Sequence, residues 1–143
     1  MCFDTCMQWI ASYLIAAVVF GVLDFLWLGK VGRGIYQEHI GHLLAPKPNM
    51  AAAIIFYAIY LVGITYFATI PALDAGSLGK AAVSGALLGF VGYATWNLTN
   101  LSVLKDYPSS IVPIDMAWGT VATGVTAVIT YAVVRALPFG GGS

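Results

Sequence analysis

The chain has 143 residues, of which 60% are hydrophobic and 8% are charged, with a formal net charge of zero. Soluble domains carry about 25% charged residues, so this composition excludes a water-soluble globule and indicates an integral membrane protein. The balanced charge gives no sign of a nucleic-acid partner, and the lipid bilayer is the expected surrounding.

Four apolar stretches that follow one another along the chain are long enough to cross a bilayer. A helix needs about 20 residues to span a hydrocarbon core of about 30 Å. The stretches lack the two-residue alternation of barrel strands, and backbone in lipid must satisfy its own hydrogen bonds. The sequence therefore predicts an all-α bundle of four transmembrane helices, over Trp9 to Leu28, Met50 to Ile70, Leu78 to Leu101 and Ile111 to Leu137.

The segment between the first two stretches, GKVGRGIYQEHIGHLLAPKP, mixes apolar and polar residues at helical spacing. That pattern is typical of a short amphipathic helix in the membrane interface, which we expect within Val31 to Leu44. Pro46 and Pro48 end this helix, and Asn49 is placed to cap the next one.

The remaining connections are short, which makes sequential helices antiparallel neighbours with both termini on one side of the membrane. Pro71 and the stretch LDAGS are expected to join the second and third helices, and KDYPSS the third and fourth. Basic residues are more numerous on the side of the first loop, which favours that side as cytoplasmic. We expect one bundle over residues 1–139 and a glycine-rich linker over 140–143.

Two aspartates lie inside predicted helices at similar depth, in LDFLWLG and PIDMAWGT. Asp24 precedes the end of the first helix by about 6 to 9 Å, and Asp115 lies one or two turns into the fourth. Each is followed three residues later by a tryptophan, Trp27 or Trp118. A charged carboxylate at the bilayer centre costs about 2.5–3.5 kcal/mol. Such groups require amide donors, a cation, water or protonation.

Small and polar residues recur at three- and four-residue steps on the third helix, which ends in YATWNLTNLS. Small residues let helices approach closely in lipid, so this face is expected to pack against other helices. Similar faces occur on the first and fourth helices. The predicted faces are Ala17, Gly21 and Asp24; Gly85, Gly89, Tyr93, Asn97 and Asn100; and Asp115, Gly119, Ala122 and Thr126.

These three faces would gather the intramembrane polar side chains inside the bundle, near the first loop. The asparagines can then donate amide hydrogens to the carboxylates. One interpretation is a purely structural contact between helices, worth roughly 0.6 kcal/mol per pair. We favour a pocket for a ligand, an ion or catalysis, because two acids are a costly way to join helices. The predicted pocket comprises Asp24, Asn97, Asn100, Asp115, Trp27, Trp118 and Tyr93.

The segment predicted to lie in the interface carries His39 and His42, with Glu38 beside them. Histidines at this spacing can share a metal ion, but more often they lie among headgroups. We therefore predict no metal site and keep the two histidines as weak candidates.

Six stretches resemble a family of small four-helix bacterial membrane proteins defined as a domain of unknown function: LDFLWLG, GHLLAPKPN, AAIIFYAIYLVGITYFA, PAL, YATWNLTNL and IDMAWGT. The resemblance covers roughly Ser12 to Tyr131. It implies a four-helix architecture, a multi-pass location in the bacterial inner membrane, and motif positions at Asp24, Asn100 and Asp115. The family pattern usually has aspartate where this chain has Asn97. If that aspartate takes up and releases a proton in relatives, the step is absent from this chain or is carried by another residue. The family is often encoded near fatty-acid-modifying enzymes, an association that implies no activity.

Three functions fit these features. The first is a small binding protein or carrier whose polar intramembrane pocket takes a small solute, an ion or a lipid headgroup. The second is a membrane enzyme, or the partner of one, in lipid or fatty-acid modification, which the lack of a known catalytic motif disfavours. The third is a structural subunit. Four helices are few for enclosing a path, so a homodimer or a larger complex is expected, while the ligand and any cofactor stay open.

Overall fold

The computed structural model describes residues 2–140, which form a helical bundle with no β-strand in that range. The predicted all-α class with four long helices is confirmed. The predicted linker, 140–143, lies outside the described residues after Gly140, so it stays a prediction. The helices are α1 (Cys2–Leu26), α2 (Gly32–Ile40), α3 (Met50–Ile64), α4 (Ile70–Ala75), α5 (Leu78–Val103) and α6 (Ile111–Ala136).

Three continuous helical stretches of the described chain are long and apolar enough to cross a membrane: Cys2–Leu43, Met50–Ala75 and Ile111–Ala136. α5 also has 26 residues, but it is less apolar because its packed face carries glycines and amides. Large apolar side chains are exposed on the outside of all four long helices, as expected where lipid replaces water as the solvent.

α1 continues into α2 through one π-helical turn, Trp27–Val31, instead of through a loop. The predicted amphipathic helix is present as α2 and a 3-10 turn, Gly41–Leu43. Glycine is required at Gly32, because a Cβ there would lie 2.6 Å from Nε1 of Trp27. α2 is therefore a continuous helical extension of the first span.

α2 covers the connection between α5 and α6. Its apolar face packs on a small hydrophobic cluster at the start of α6, and His42 Nε2 lies 3.2 Å from the backbone oxygen of Asp106. The packed side chains are Ile35, Tyr36 and Ile40 of α2 against Tyr107, Ile111 and Val112.

The connection between the second and third spans lies within LDAGS, as predicted, but Pro71 is not part of it, because the chain stays helical past the proline to Ala75. A second π-helical turn, Thr65–Thr69, precedes the proline. In a regular α-helix the proline ring would clash with the preceding turn, and proline has no N–H to donate. The wider π-helical turn makes room for the ring and leaves no regular hydrogen bond to be broken. The actual turn is Gly76, with a φ of 63°. Ser77 then caps α5 by accepting a hydrogen bond from a backbone N–H.

α5 and α6 form the most extensive helix pair and run antiparallel. A Cβ on Gly85 would lie 2.7 Å from the Cβ of Ala127. A Cβ on Gly89 would meet the carbonyl oxygen of Gly119. The small-residue faces predicted on these two helices therefore lie against each other with their backbones in close contact.

The small-residue face predicted on α1 packs only in part. Ala17 lies against the core beside the buried Ala16 and Phe20, whereas Gly21 is exposed and a Cβ on it would have nothing within 4 Å. The ring of Phe20 lies 6.0 Å from that of Tyr57 and 5.4 Å from that of Tyr60. α1 and α3 thus join through large side chains, whose dispersion contacts replace a close backbone approach.

The start of α1 and the segment that follows α6 lie at the same end of the bundle, as predicted for the two ends of the chain. The side-chain amide of Gln8 donates a hydrogen bond of 2.8 Å to the backbone oxygen of Phe139, which ties the start of α1 to the segment after α6. We call the opposite end, which carries α2 and the α5–α6 connection, the loop-one end. Its assignment to the cytoplasm stays a prediction.

Buried hydroxyl groups occupy the core in the half of the bundle away from the loop-one end. Ser12, Thr69 and Thr130 have fully buried hydroxyls with no hydrogen-bond partner among residues 2–140. By contrast, the hydroxyl of Thr126 donates to the backbone oxygen four residues earlier at 2.7 Å. A buried polar group without a partner costs about 1–3 kcal/mol, so these three positions lower the stability of the bundle.

Thr130→Val is expected to raise the free energy of unfolding by about 1 kcal/mol or more, because valine has a similar shape and no hydroxyl to satisfy. Reversible unfolding in mixed detergent micelles measures the change. The matched control is Thr126→Val, one turn earlier on α6, which removes a hydrogen-bonded hydroxyl and should give no gain. A destabilised Thr130→Val protein would contradict the prediction.

Candidate functional site

Asp115 lies in the second turn of α6, and its side chain is only 6% exposed. α5 places Asn97 beside it, and the Asn97 Nδ2 donates to Oδ2 of Asp115 at 2.7 Å. α2 places Tyr36 on the other side, where its hydroxyl donates to Oδ1. Each carboxylate oxygen thus has one donor and retains further acceptor capacity.

Two more side chains extend these hydrogen bonds. Trp27 Nε1 donates to the Tyr36 hydroxyl at 3.1 Å, and the Tyr107 hydroxyl donates to Oδ1 of Asn97 at 3.1 Å. Burial raises the pKa of the Tyr107 hydroxyl, so this group stays protonated as a donor. We call Trp27, Tyr36, Asn97, Tyr107 and Asp115 the Asp115 network.

Local backbone structure orients this network. The amide of Asn97 also donates to the Tyr93 backbone oxygen at 2.9 Å, one turn earlier on α5, which fixes its rotamer. Tyr107 reaches the interior because the chain reverses at Asp106, whose φ is 62°. Aspartate tolerates this left-handed conformation better than most residues do.

Asp24 lies near the end of α1, close enough to Asp115 for the two charges to interact. The indole N–H of Trp118 approaches the Asp24 carboxylate without forming a regular hydrogen bond. The Trp118 ring stacks on Trp27, with centroids 4.4 Å apart. The paired tryptophans therefore connect the surroundings of the two aspartates.

The structure brings the four predicted polar residues to the loop-one end, at different distances from the centre of the network. Asn97 and Asp115 bond directly. Asn100 lies beside Tyr107, and its buried Nδ2 has no partner within the described chain. Asp24 faces a separate cavity of about 430 Å³ between α1 and α3. Their role as a binding site stays a prediction.

Sequence reasoning missed Tyr36 and Tyr107. Tyr36 lies where the apolar side of the amphipathic helix meets its polar side, so its position could have suggested an inward hydroxyl. Tyr107 belongs to KDYPSS, and no periodicity there could have placed its side chain beside Asn97.

The two histidines do not come together around a common ligand. His39 Nδ1 lies 2.8 Å from the Ile35 backbone oxygen, and His42 Nε2 approaches the α5–α6 connection. Over residues 2–140, no three His, Cys, Asp or Glu side chains are grouped so that they could hold a metal ion. Both histidines therefore form hydrogen bonds with backbone oxygens at the loop-one end.

The two inner aspartates lack cationic partners. Asp115 accepts only from a tyrosine and an amide, and no ion pair reaches Asp24 or Asp115 from the described part of the chain. Lys105, which follows α5 at this end, is exposed. The Asp115 network therefore contains no positively charged side chain of its own.

Asp115 forms part of the wall of two adjoining cavities. We call one the α3 cavity; it has a volume of about 470 Å³ and lies between α3 and α5. The α2 cavity, of about 350 Å³, lies beneath α2, where Arg33 and Gln37 contribute to its wall. Trp96 and Asp115 line both cavities. The residues of the α3 cavity are Phe56, Tyr60, Gly92, Tyr93, Trp96 and Asp115.

The course of the second span explains the α3 cavity. Its later part, Thr65–Thr69 and α4, packs against α5, whereas the α3 backbone makes little contact with α5. The two helices diverge toward the loop-one end and leave a lateral cleft. Tyr60 crosses this cleft, and its hydroxyl shares a hydrogen bond of 2.6 Å with that of Thr123.

These features define a small polytopic α-helical membrane protein with a buried polar network beside a lateral cleft. The chain belongs to the family described as predicted membrane protein (DUF2177), whose model matches residues 9–132. No curated protein and no solved structure matches the chain.

Proposed function

We propose that this chain binds or carries a small solute, an ion or a lipid headgroup at Asp115, within the plane of the membrane. The observation that carries this proposal is a nearly buried carboxylate without a cation, placed in the wall shared by two cavities. We further propose that the chain resides in the bacterial inner membrane. A second copy, or a larger complex, would cover the lateral cleft.

The alternative is that the polar network only holds the helices together. A purely structural network is most stable when every buried donor and acceptor is satisfied. Here the buried N–H groups of Asn100 and Trp118 approach Tyr107 and Asp24 without forming regular hydrogen bonds, and Asp115 retains acceptor capacity toward the cavities. These incompletely satisfied donors and acceptors support binding over a closed structural contact.

Native mass spectrometry of the purified full chain tests this proposal. We expect a bound small molecule or ion on the natural chain, and its loss from Asp115→Asn at unchanged helix content by circular dichroism. The matched control is Asp74→Asn, which removes an exposed acid at the opposite end of the bundle. Equal occupancy in the natural chain and Asp115→Asn, or no bound species in either, would contradict the proposal.

A further inference from the structure

We infer that the α3 cavity takes an organic ammonium group carried on an apolar molecule. This inference rests on the proposed binding function and specifies the chemical class of its ligand. It depends on the charge, the aromatic lining and the shape of the cavity.

The charge of the α3 cavity favours a cation. Asp115 is its one ionisable acid among the lining residues, and none of them is Lys, Arg or His. Asp24 of α1, which lines a separate cavity at the same end of the bundle, adds a second acidic group nearby. An anionic ligand would meet like charge in a medium where water screens poorly, whereas a cation would compensate a carboxylate that lacks an ion pair.

The lining of the cavity favours an organic cation over a metal ion. Phe56, Tyr60, Tyr93 and Trp96 make up four of the six lining residues. Aromatic rings attract alkylammonium groups through their negative faces, and aromatic lining is a recurrent way to bind quaternary ammonium ions. Mg²⁺ and Ca²⁺ are held by carboxylates, carbonyl oxygens and several waters, and a mainly aromatic lining with one carboxylate offers few such ligands.

The size and position of the cavity favour a ligand with an apolar tail. Its volume of about 470 Å³ suits a small organic molecule. At its outer edge Phe56 is 47% exposed and Trp96 is 61% exposed, so the cavity reaches the lipid-facing surface. Arg33 lines only the adjoining α2 cavity and would repel an ammonium group there. An alkylammonium ligand would therefore place its head at Asp115 and extend its tail into lipid.

The test titrates dodecyltrimethylammonium and dodecyl sulfate into the purified full chain in a neutral maltoside detergent, with calorimetry as the readout. These probes share a tail and differ in head charge. We expect the ammonium probe to bind about tenfold or more tightly than the sulfate probe, which corresponds to about 1.4 kcal/mol. Similar affinities for the two probes would overturn the inference.

Three variants distinguish binding in the α3 cavity from nonspecific electrostatic binding of the ammonium probe. Asp115→Asn should lower the affinity for the ammonium probe about tenfold or more. Trp96→Leu, at a largely exposed position where we expect the fold to be kept, should lower it severalfold. Asp74→Asn is the matched control at the opposite end and should leave it unchanged. Ammonium binding that persists in both Asp115→Asn and Trp96→Leu would refute the assignment to this cavity.

Failure of this inference is distinguishable from failure of the proposed function. If mass spectrometry detects an Asp115-dependent ligand while the ammonium probe fails to bind, the proposed function stands and the ammonium class is wrong. If neither a native ligand nor the probe depends on Asp115, both are wrong.

Discussion

Gly89→Leu is expected to prevent the formation of the native bundle, and even Gly89→Ala should be strongly destabilised. A Cβ at this position would run into the carbonyl oxygen of Gly119 and would lie 2.8 Å from the Cβ of Thr123. Overpacking costs about 1–3 kcal/mol where side chains can adjust. Here the obstacle is the backbone of α6, so we expect about 3 kcal/mol or more for alanine, which is a large part of the 5–15 kcal/mol typical of a native protein.

Thermal unfolding in detergent, followed by circular dichroism, measures this effect. The matched control is Gly92→Ala, one turn further along α5, where a Cβ would lie 3.6 Å from Cε2 of Tyr60 at ordinary contact distance. Because alanine favours helix over glycine by about 1 kcal/mol, this control should hold or gain stability. If Gly89→Ala had the same yield and the same thermal stability as the unsubstituted chain, the two backbones would not be in close contact.

The double variant Asp24→Asn, Asp115→Asn is expected to lose function while it keeps its fold. Asn97 can keep its bonds to the Tyr93 backbone oxygen and Tyr107 and donate to the side-chain oxygen of the new asparagine at 115. The nitrogen of that asparagine then faces the Tyr36 hydroxyl, which can accept from it as well as from Trp27. The substitutions also remove the cost of burying charge, so stability should hold or rise. Binding of a cation, or exchange of a proton, would be lost.

Complementation of a deletion strain measures the loss, with any phenotype of the deletion, such as altered membrane lipid composition, as the readout. Expression and membrane insertion are checked in parallel, so that a missing protein is not mistaken for an inactive one. Asp74→Asn, which removes one exposed acid at the opposite end of the bundle, serves again as the control. If the double variant complements at normal expression, the polar network is a structural contact and the pocket proposal fails.

The sequence predicted those features that depend on patterns within one helix. The four long helices follow from apolar length, and the contact between α5 and α6 follows from glycines spaced one turn apart, since glycine permits close approach. Asn97 and Asp115 meet because they extend the same two faces. These patterns repeat along a helix, so the sequence alone reveals them.

Features that depend on the width of a turn or on a neighbouring side chain escaped sequence reasoning. Gly21 fits a small-residue pattern, yet the bulk of Phe20 decides which face of α1 is buried. Pro71 reads as a break, yet the wide turn before it keeps the helix intact. Tyr36 and Tyr107 reach the network from segments that resemble connections, and only the packed structure places their hydroxyls.

The number of residues in the π-helical turn at Trp27–Val31 determines how α2 is oriented, and therefore whether Tyr36 reaches Asp115. Such a turn holds one residue more than an α-helical turn does, so it is equivalent to a single-residue insertion accommodated within a helix. Deletion of one residue there would rotate everything that follows by about 100° and turn Tyr36 away from Asp115. Two homologues could thus share every residue of the network and still form different hydrogen bonds, if one of them lacked a single residue in this turn. Conservation of the network residues alone would not reveal that difference.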